Sequence, residues 1–133
     1  MAAHLRGRFR IKRPQVALVI DDYDDTRELY AFVLQLDGYI VAQARDGRDG
    51  LQQARALVPD IIITDLTMPI MDGWETIRRL RADPRTRHIP IIACSGLDVR
   101  RRMDGAAPDA VLAKPCPLDM LLAEVRRLLQ RAA

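Results

Sequence analysis

Ile61-Ile62-Ile63-Thr64-Asp65-Leu66-Thr67-Met68-Pro69 is the stretch on which the fold turns. A short run of β-branched residues that stops at a carboxylate and a proline-bearing turn reads as a strand buried on both faces, the kind found in parallel sheets. In open α/β sheets, ligands sit outside the carboxyl ends of such strands, so Asp65 stands at a candidate site. A second buried run, Val16-Ala17-Leu18-Val19-Ile20, ends in the same way at Asp21-Asp22. If both tips share one edge, their carboxylates repel one another, and a cationic partner is expected there.

Working outward, apolar runs at 15–21, 39–44, 61–65, 90–95 and 110–114 read as strands, and the segments between them carry helical periodicity. In the first such segment Leu29, Phe32, Val33 and Leu36 recur at spacings of three, one and three, which predicts a single apolar helix face. Asp24, Asp25 and Thr26 supply capping oxygens and negative charge at its start, and Gly38 reads as its left-handed stop. A second helix is predicted over 47–58, with Leu51, Ala54 and Val58 inward and Pro59 as terminator. A third covers 73–82 and ends before Asp83-Pro84. The last covers 118–131, with Leu121, Leu122, Val125, Leu128 and Leu129 on one side and Arg126, Arg127 and Arg131 on the other. Between the fourth and fifth strands the pattern is short: 97–103 runs directly into Gly105, Ala106, Ala107 and Pro108, so a shortened fourth helix of one or two turns is expected. Strands alternating with helices argue for an α/β fold, a doubly wound five-stranded parallel sheet covered on both faces by right-handed crossovers.

A chain of 133 residues suits one domain, and 49% hydrophobic with 29% charged residues excludes a disordered or membrane-embedded class. No apolar stretch approaches the roughly 20 residues that span a bilayer. The first 14 residues lack the apolar core of a secretory signal, so a cytoplasmic location is expected. The net charge of +3 divides unevenly: Arg6, Arg8, Arg10, Lys12 and Arg13 face no acid within 1–13, while the remaining 16 basic and 18 acidic residues leave a net of −2. Residues 1–13 therefore read as a solvated basic extension and 14–131 as the folded domain. Cys94 and Cys116 form neither a disulfide framework nor a metal site by count or spacing, and Cys94 reads as a small core residue.

The strand ends then fall into a pattern. Asp21-Asp22 follows the first strand and Asp65 the third, with Met68-Pro69 and Asp72-Gly73 in the loop beyond; Ser95-Gly96 follows the fourth and Lys114-Pro115 the fifth. Taken singly, each has an ordinary explanation: a helix cap, a turn carboxylate, a local turn hydroxyl, a surface lysine. In this order and on these strands, residues 14–131 resemble the receiver domain of two-component response regulators. The resemblance implies the flavodoxin-like strand order 2-1-3-4-5. It also implies that Asp22, Asp65 and the backbone carbonyl of Thr67 bind Mg²⁺, with Asp21 acting mainly through bound water, and an oxygen-only donor set suits that ion. Asp65 would be the nucleophile that accepts a phosphoryl group from a phosphohistidine, carried by a sensor histidine kinase or a histidine phosphotransfer protein. Lys114 would supply a point positive charge and Ser95 a hydrogen bond to a phosphoryl oxygen. The implied role is signalling to a downstream protein, not enzymatic turnover. Lys114-Pro115 also invites a cis peptide.

Three features depart from the family pattern. Val111 stands three before the lysine, where many receivers carry an aromatic switch, and valine has one stiff torsion and no hydroxyl. The interval from Ser95 to Lys114 is a few residues short of the usual one, which alters the region that commonly forms the output face. Thr67 and Leu97 occupy the two positions that tend to tune hydrolysis of the aspartyl phosphate in the family; Leu97 cannot orient an attacking water and Thr67 can do so only weakly, so slow self-dephosphorylation is expected. Arg100-Arg101-Arg102 and the arginines of the last helix either form a basic output face or are simply solvated. The alternative function is a pseudo-receiver that binds a partner without phosphorylation. An aspartate-nucleophile phosphatase is disfavoured because Thr67 stands where such enzymes carry a second aspartate. Nothing resembles a helix-turn-helix, so nucleic-acid binding is not expected, and the chain closes soon after the last helix without room for an output domain, as a stand-alone receiver or a piece of a longer protein would.

Overall fold

The computed structural model describes residues 13–96 and 106–132, the last two by backbone alone. All the expected strands form, trimmed at some ends: β1 Val16–Ile20, β2 Ile40–Ala44, β3 Ile61–Asp65, β4 Ile91–Ser95 and β5 Ala110–Ala113. They pair in parallel in the order β2-β1-β3-β4-β5. The described helices are α1 Asp24–Leu36, α2 Gly47–Leu57, α3 Gly73–Ala82 and α4 Leu118–Ala132. The expected shortened fourth helix, Leu97, the arginines at 100–102 and most of the basic extension lie outside the described residues.

Strand alternation splits the core in two. Ala17 and Val19 of β1 face a layer built from Tyr30 and Leu34 of α1 with Leu121 and Val125 of α4. Leu18 and Ile20 face the other way, onto Leu51 and Ala54 of α2 and Ile77 and Leu80 of α3. Every residue of β3 and β4 is buried, as the unbroken apolar runs predicted.

Helix α1 corrects the sequence reading. Its buried residues are Arg27, Tyr30, Ala31 and Leu34, whereas Leu29, Phe32 and Leu36 are exposed at 47%, 57% and 73%. The two sets share the spacing three, one, three but sit two residues apart, so they occupy opposite sides of the helix. Asp24 and Asp25 lie in the first turn and offer charge to the helix start. The N-cap is Tyr23, which makes no side-chain capping bond. Val58 is a second correction: it is the left-handed cap of α2 and is exposed, while Leu51 and Ala54 are buried as expected. The caps of α2 and α3 are standard, with Asp46 accepting from the Asp49 N–H and Asp72 from the Glu75 N–H. Gly38 adopts φ +97°, as a helix stop requires.

The strand-start edge of the sheet is closed by matched ion pairs. Arg13 forks onto Asp60 at 2.9 and 3.3 Å, and the same carboxylate accepts from the Val16 N–H at 2.7 Å. Arg81, at the end of α3, donates to the carbonyls of Arg87 and Ile89 and to Asp109 at 2.8 Å, and Asp109 also accepts from the Ile91 N–H. On α4, Arg126 forks onto Asp37 and Arg127 pairs with Glu124, so these two arginines are engaged within the protein.

Candidate functional site

The opposite edge, where the strands end, gathers the singled-out residues. Hydrogen-bonded pairing runs one step past each strand and holds its tip: Asp21 N–H to the Ala44 carbonyl, Leu66 N–H to Cys94, and Lys114 N–H to Ser95. Thr64 lies opposite Ile20, Asp65 opposite Cys94, and Ser95 opposite Ala113, the residue before Lys114. Asp21, Asp65, Ser95 and Lys114 thus leave the sheet side by side. Strand order reverses across the β1–β3 pair, the switch point at which open α/β sheets bind ligands.

Oxygen atoms of Asp21, Asp22 and Asp65 all lie within 4.8 Å of one another, with Asp22 exposed and the other two buried. Lys114 enters from the end of β5, its Nζ 2.9 Å from Asp21 Oδ2 and 3.5 Å from Asp65 Oδ2. This is the cation that the crowded carboxylates called for. Ser95 is buried at the end of β4. Thr67 donates its N–H to Asp65 Oδ1 at 3.3 Å and is itself exposed. The Lys114–Pro115 peptide is cis. Val111 lies on β5 opposite Ala93, 40% exposed.

Burial pushes the Asp65 carboxyl above its ordinary range. The charge of Asp21 adds to that rise, while Lys114 and the Thr67 N–H oppose it. For Lys114, burial works against the ammonium, but the hydrogen bond and charge of Asp21, joined by Asp65, outweigh it and hold its pKa above the ordinary value. Lysine therefore stays charged throughout the neutral range, and one cation faces three carboxylates.

One residue of the site escaped the pattern of the sequence, and for another, Gly73, the pattern held no physical reason. Arg27, 6% exposed, reaches in from α1 to the backbone carbonyl of Asp21. Periodicity places an arginine outward; only its spacing from Tyr30, Ala31 and Leu34 could have revealed its place on the buried face. Gly73 opens α3 directly beneath the site: a Cβ added there would lie 2.1 Å from the Asp65 carbonyl oxygen and 2.6 Å from Leu66 Cα. Between Asp65 and Gly73 the loop also places Ile70 at φ 70°, an uncommon conformation for a β-branched residue, with the side chain 86% exposed.

Residues 17–126 match the response regulator receiver domain family. The chain belongs to that family. As a receiver domain it is 38% identical over 117 residues to the DNA-binding dual master transcriptional regulator RpaA of Synechocystis sp., covering 86% of this chain and 48% of that protein. It is 40% identical over 115 residues to the response regulator PleD of Caulobacter vibrioides, covering 84% of this chain and 25% of that one. The chain thus spans half or less of the length of these two relatives. Among solved structures, the chemotaxis protein CheY4 of Vibrio cholerae superposes with a TM-score of 0.82 at 28% identity, over 87% of this chain and 99% of that one. The signal receiver domain of a histidine kinase from Syntrophus aciditrophicus gives 0.81 at 32% identity, over 87% and 90%. The flavodoxin-like order expected from the resemblance is the order observed. Among the described residues, no helix is long and apolar enough to cross a membrane.

Proposed function

We propose that this receiver domain accepts a phosphoryl group on Asp65 from a histidine-phosphorylated protein and signals to a partner through the resulting change of conformation. The observation that carries this reading is the juxtaposition of Asp65 with Asp21, Asp22 and Lys114 at the switch point of the sheet. An Asp65 carboxylate oxygen attacks phosphorus as the phosphorus–nitrogen bond of the donor breaks. The bonding pair stays on the imidazole, and the product is an acyl phosphate on Asp65. Lys114, already beside Asp65, meets the charge of the incoming phosphoryl oxygens, and Ser95 offers its hydroxyl to one of them.

The donor set fits Mg²⁺: three carboxylates within 4.8 Å, oxygen-only, one of them open to solvent and one lysine too few to balance them. Asp22, Asp65 and the Thr67 carbonyl would hold the ion, with Asp21 acting through water. When bound, it would offset the negative charge that spreads over the transferring oxygens.

The outward face of α1 supports a protein as donor. Leu29, Phe32 and Leu36 make an exposed apolar strip on a helix that begins two residues after Asp22, so a surface docked there lies next to the acids. A sensor histidine kinase or histidine phosphotransfer protein fits this role, in the cytoplasm, with the receiver acting as a signalling module and not a turnover enzyme.

The test is intact mass after incubation with Mg²⁺ and acetyl phosphate. A single added phosphoryl group that disappears in Asp65→Ala is expected. Absence of any addition to the wild-type protein would leave a module that binds its partner without phosphorylation.

A further inference from the structure

We propose that Arg27 is the positioning residue of the paired aspartates, and that it acts through the peptide joining Asp21 to Asp22. The inference rests on the metal-binding reading of the acidic cluster given above.

A guanidinium buried to this degree is stable only with well-placed partners. Arg27 has them on three sides: Nη1 lies 2.7 Å from Asp24 Oδ1 and 3.1 Å from the Asp21 carbonyl oxygen, and Nε lies 3.1 Å from Gln43 Oε1 on β2. The fork therefore links the end of β1, the start of α1 and the neighbouring strand. Asp21 is held at each of its polar groups. Its N–H donates to Ala44, its Oδ1 accepts from the Tyr23 N–H, its Oδ2 accepts from Lys114, and its carbonyl accepts from Arg27.

That carbonyl is the atom that matters for Asp22. The peptide unit is planar, so fixing the Asp21 oxygen fixes the plane that carries the Asp22 nitrogen. The same plane carries the Asp22 Cα, so it fixes the point from which the exposed Asp22 side chain reaches toward Asp65. Arg27 does this without taking up site charge. Its carboxylate partner is Asp24, outside the cluster, whereas Lys114 binds Asp21 and Asp65 themselves.

Charge and geometry predict opposite signs on Mg²⁺ binding, which separates them. If Arg27 acted only as a nearby cation, its removal would strengthen Mg²⁺ binding, since like charges repel. If it positions Asp22, its removal weakens binding by about tenfold, the scale of an outer-shell contact to a ligand residue. Arg27→Lys, which keeps the charge but loses the fork, should weaken binding nearly as much as Arg27→Met.

Mg²⁺ titration of the unphosphorylated protein by calorimetry reads this directly, with thermal unfolding as the check on folding. Weaker binding in both variants is the expected result. Equal or tighter binding in a folded Arg27→Met protein would overturn the proposal. Should Arg27→Met fail to fold, Gln43→Leu removes one anchor of the fork and should weaken binding toward, but not beyond, the roughly tenfold cost of a lost outer-shell contact; unchanged affinity there would overturn it too. A wild-type protein that binds no Mg²⁺ would instead remove the metal-binding reading on which the inference stands.

Discussion

The two edges of this sheet carry carboxylates in different company. At the strand-start edge, Asp60 meets Arg13 and Asp109 meets Arg81, one guanidinium to each acid, with backbone N–H groups completing the set. At the strand-end edge, Lys114 pairs with two acids of a cluster of three, and the nearby Arg27 directs its bonds to a carbonyl, to Gln43 and to Asp24. Balanced pairs close a structure, whereas an unbalanced cluster is held ready for a cation from outside. The fold can carry that imbalance because each tip is tied to its neighbour by backbone bonds, so the acids do not need to neutralise one another to stay in place.

Substitutions at the two edges test that contrast. The largest effect is expected from Asp22→Asn, which alters a proposed ligand itself and should reduce Mg²⁺ affinity by at least about a hundredfold, the upper end of the cost of losing an outer-shell partner, with little change in unfolding temperature. Arg81→Leu should do the reverse. It leaves Asp109 with the Ile91 N–H alone and removes a donor from two carbonyls, which should cost about 2 kcal/mol of stability, read by urea unfolding, while Mg²⁺ affinity stays at the wild-type value. A shift of Mg²⁺ affinity in Arg81→Leu would break the division between the edges.

A smaller effect with a definite pH dependence is expected from Asp65→Asn. Burial raises the Asp65 pKa in the fold, so the folded state favours the protonated acid and the ionised form opposes folding. The neutral amide should raise Tm at pH 7 without divalent cation. The gain should vanish as the pH falls through the Asp65 pKa toward its unfolded value, where both side chains are neutral. Identical unfolding temperatures at pH 7 would show that Lys114 fully compensates the burial. Arg13→Ala should have the least effect, within about 0.5 kcal/mol, because its guanidinium is largely exposed.

Much of this was legible in the sequence, for physical reasons. Ile61-Ile62-Ile63 cannot face water on either side, so β3 and the position of Asp65 at its tip follow from composition alone. The order of Asp21-Asp22, Asp65, Ser95 and Lys114 along the chain identified the family, and the fold delivers Asp65 and Lys114 to within 3.5 Å. Helix α1 shows where legibility stops. Leu29, Phe32, Val33 and Leu36 make a more apolar face than Arg27, Tyr30, Ala31 and Leu34, yet the second face is buried. Periodicity reports that a face exists; tertiary partners decide which one turns inward, and here they include the Asp21 carbonyl and Gln43 waiting for a guanidinium. The more apolar face is left outside. Val58 was misplaced for a related reason: the register of α2 pointed inward, but the helix ends one residue earlier and Val58 takes the left-handed turn.

Gly73 gives the site a boundary that can be put in terms of selection. Its own N–H donates to the Leu66 carbonyl, and any Cβ at this position would stand 2.1 Å from the Asp65 carbonyl oxygen, a backbone atom that cannot yield as a flexible side chain would. A library randomised at residue 73 and selected for the phosphorylated form should return glycine alone, whereas one randomised at the open Gly96 should return many residues. The freedom of this chain to vary is set less by distance from the chemistry than by whether there is room for a single carbon atom.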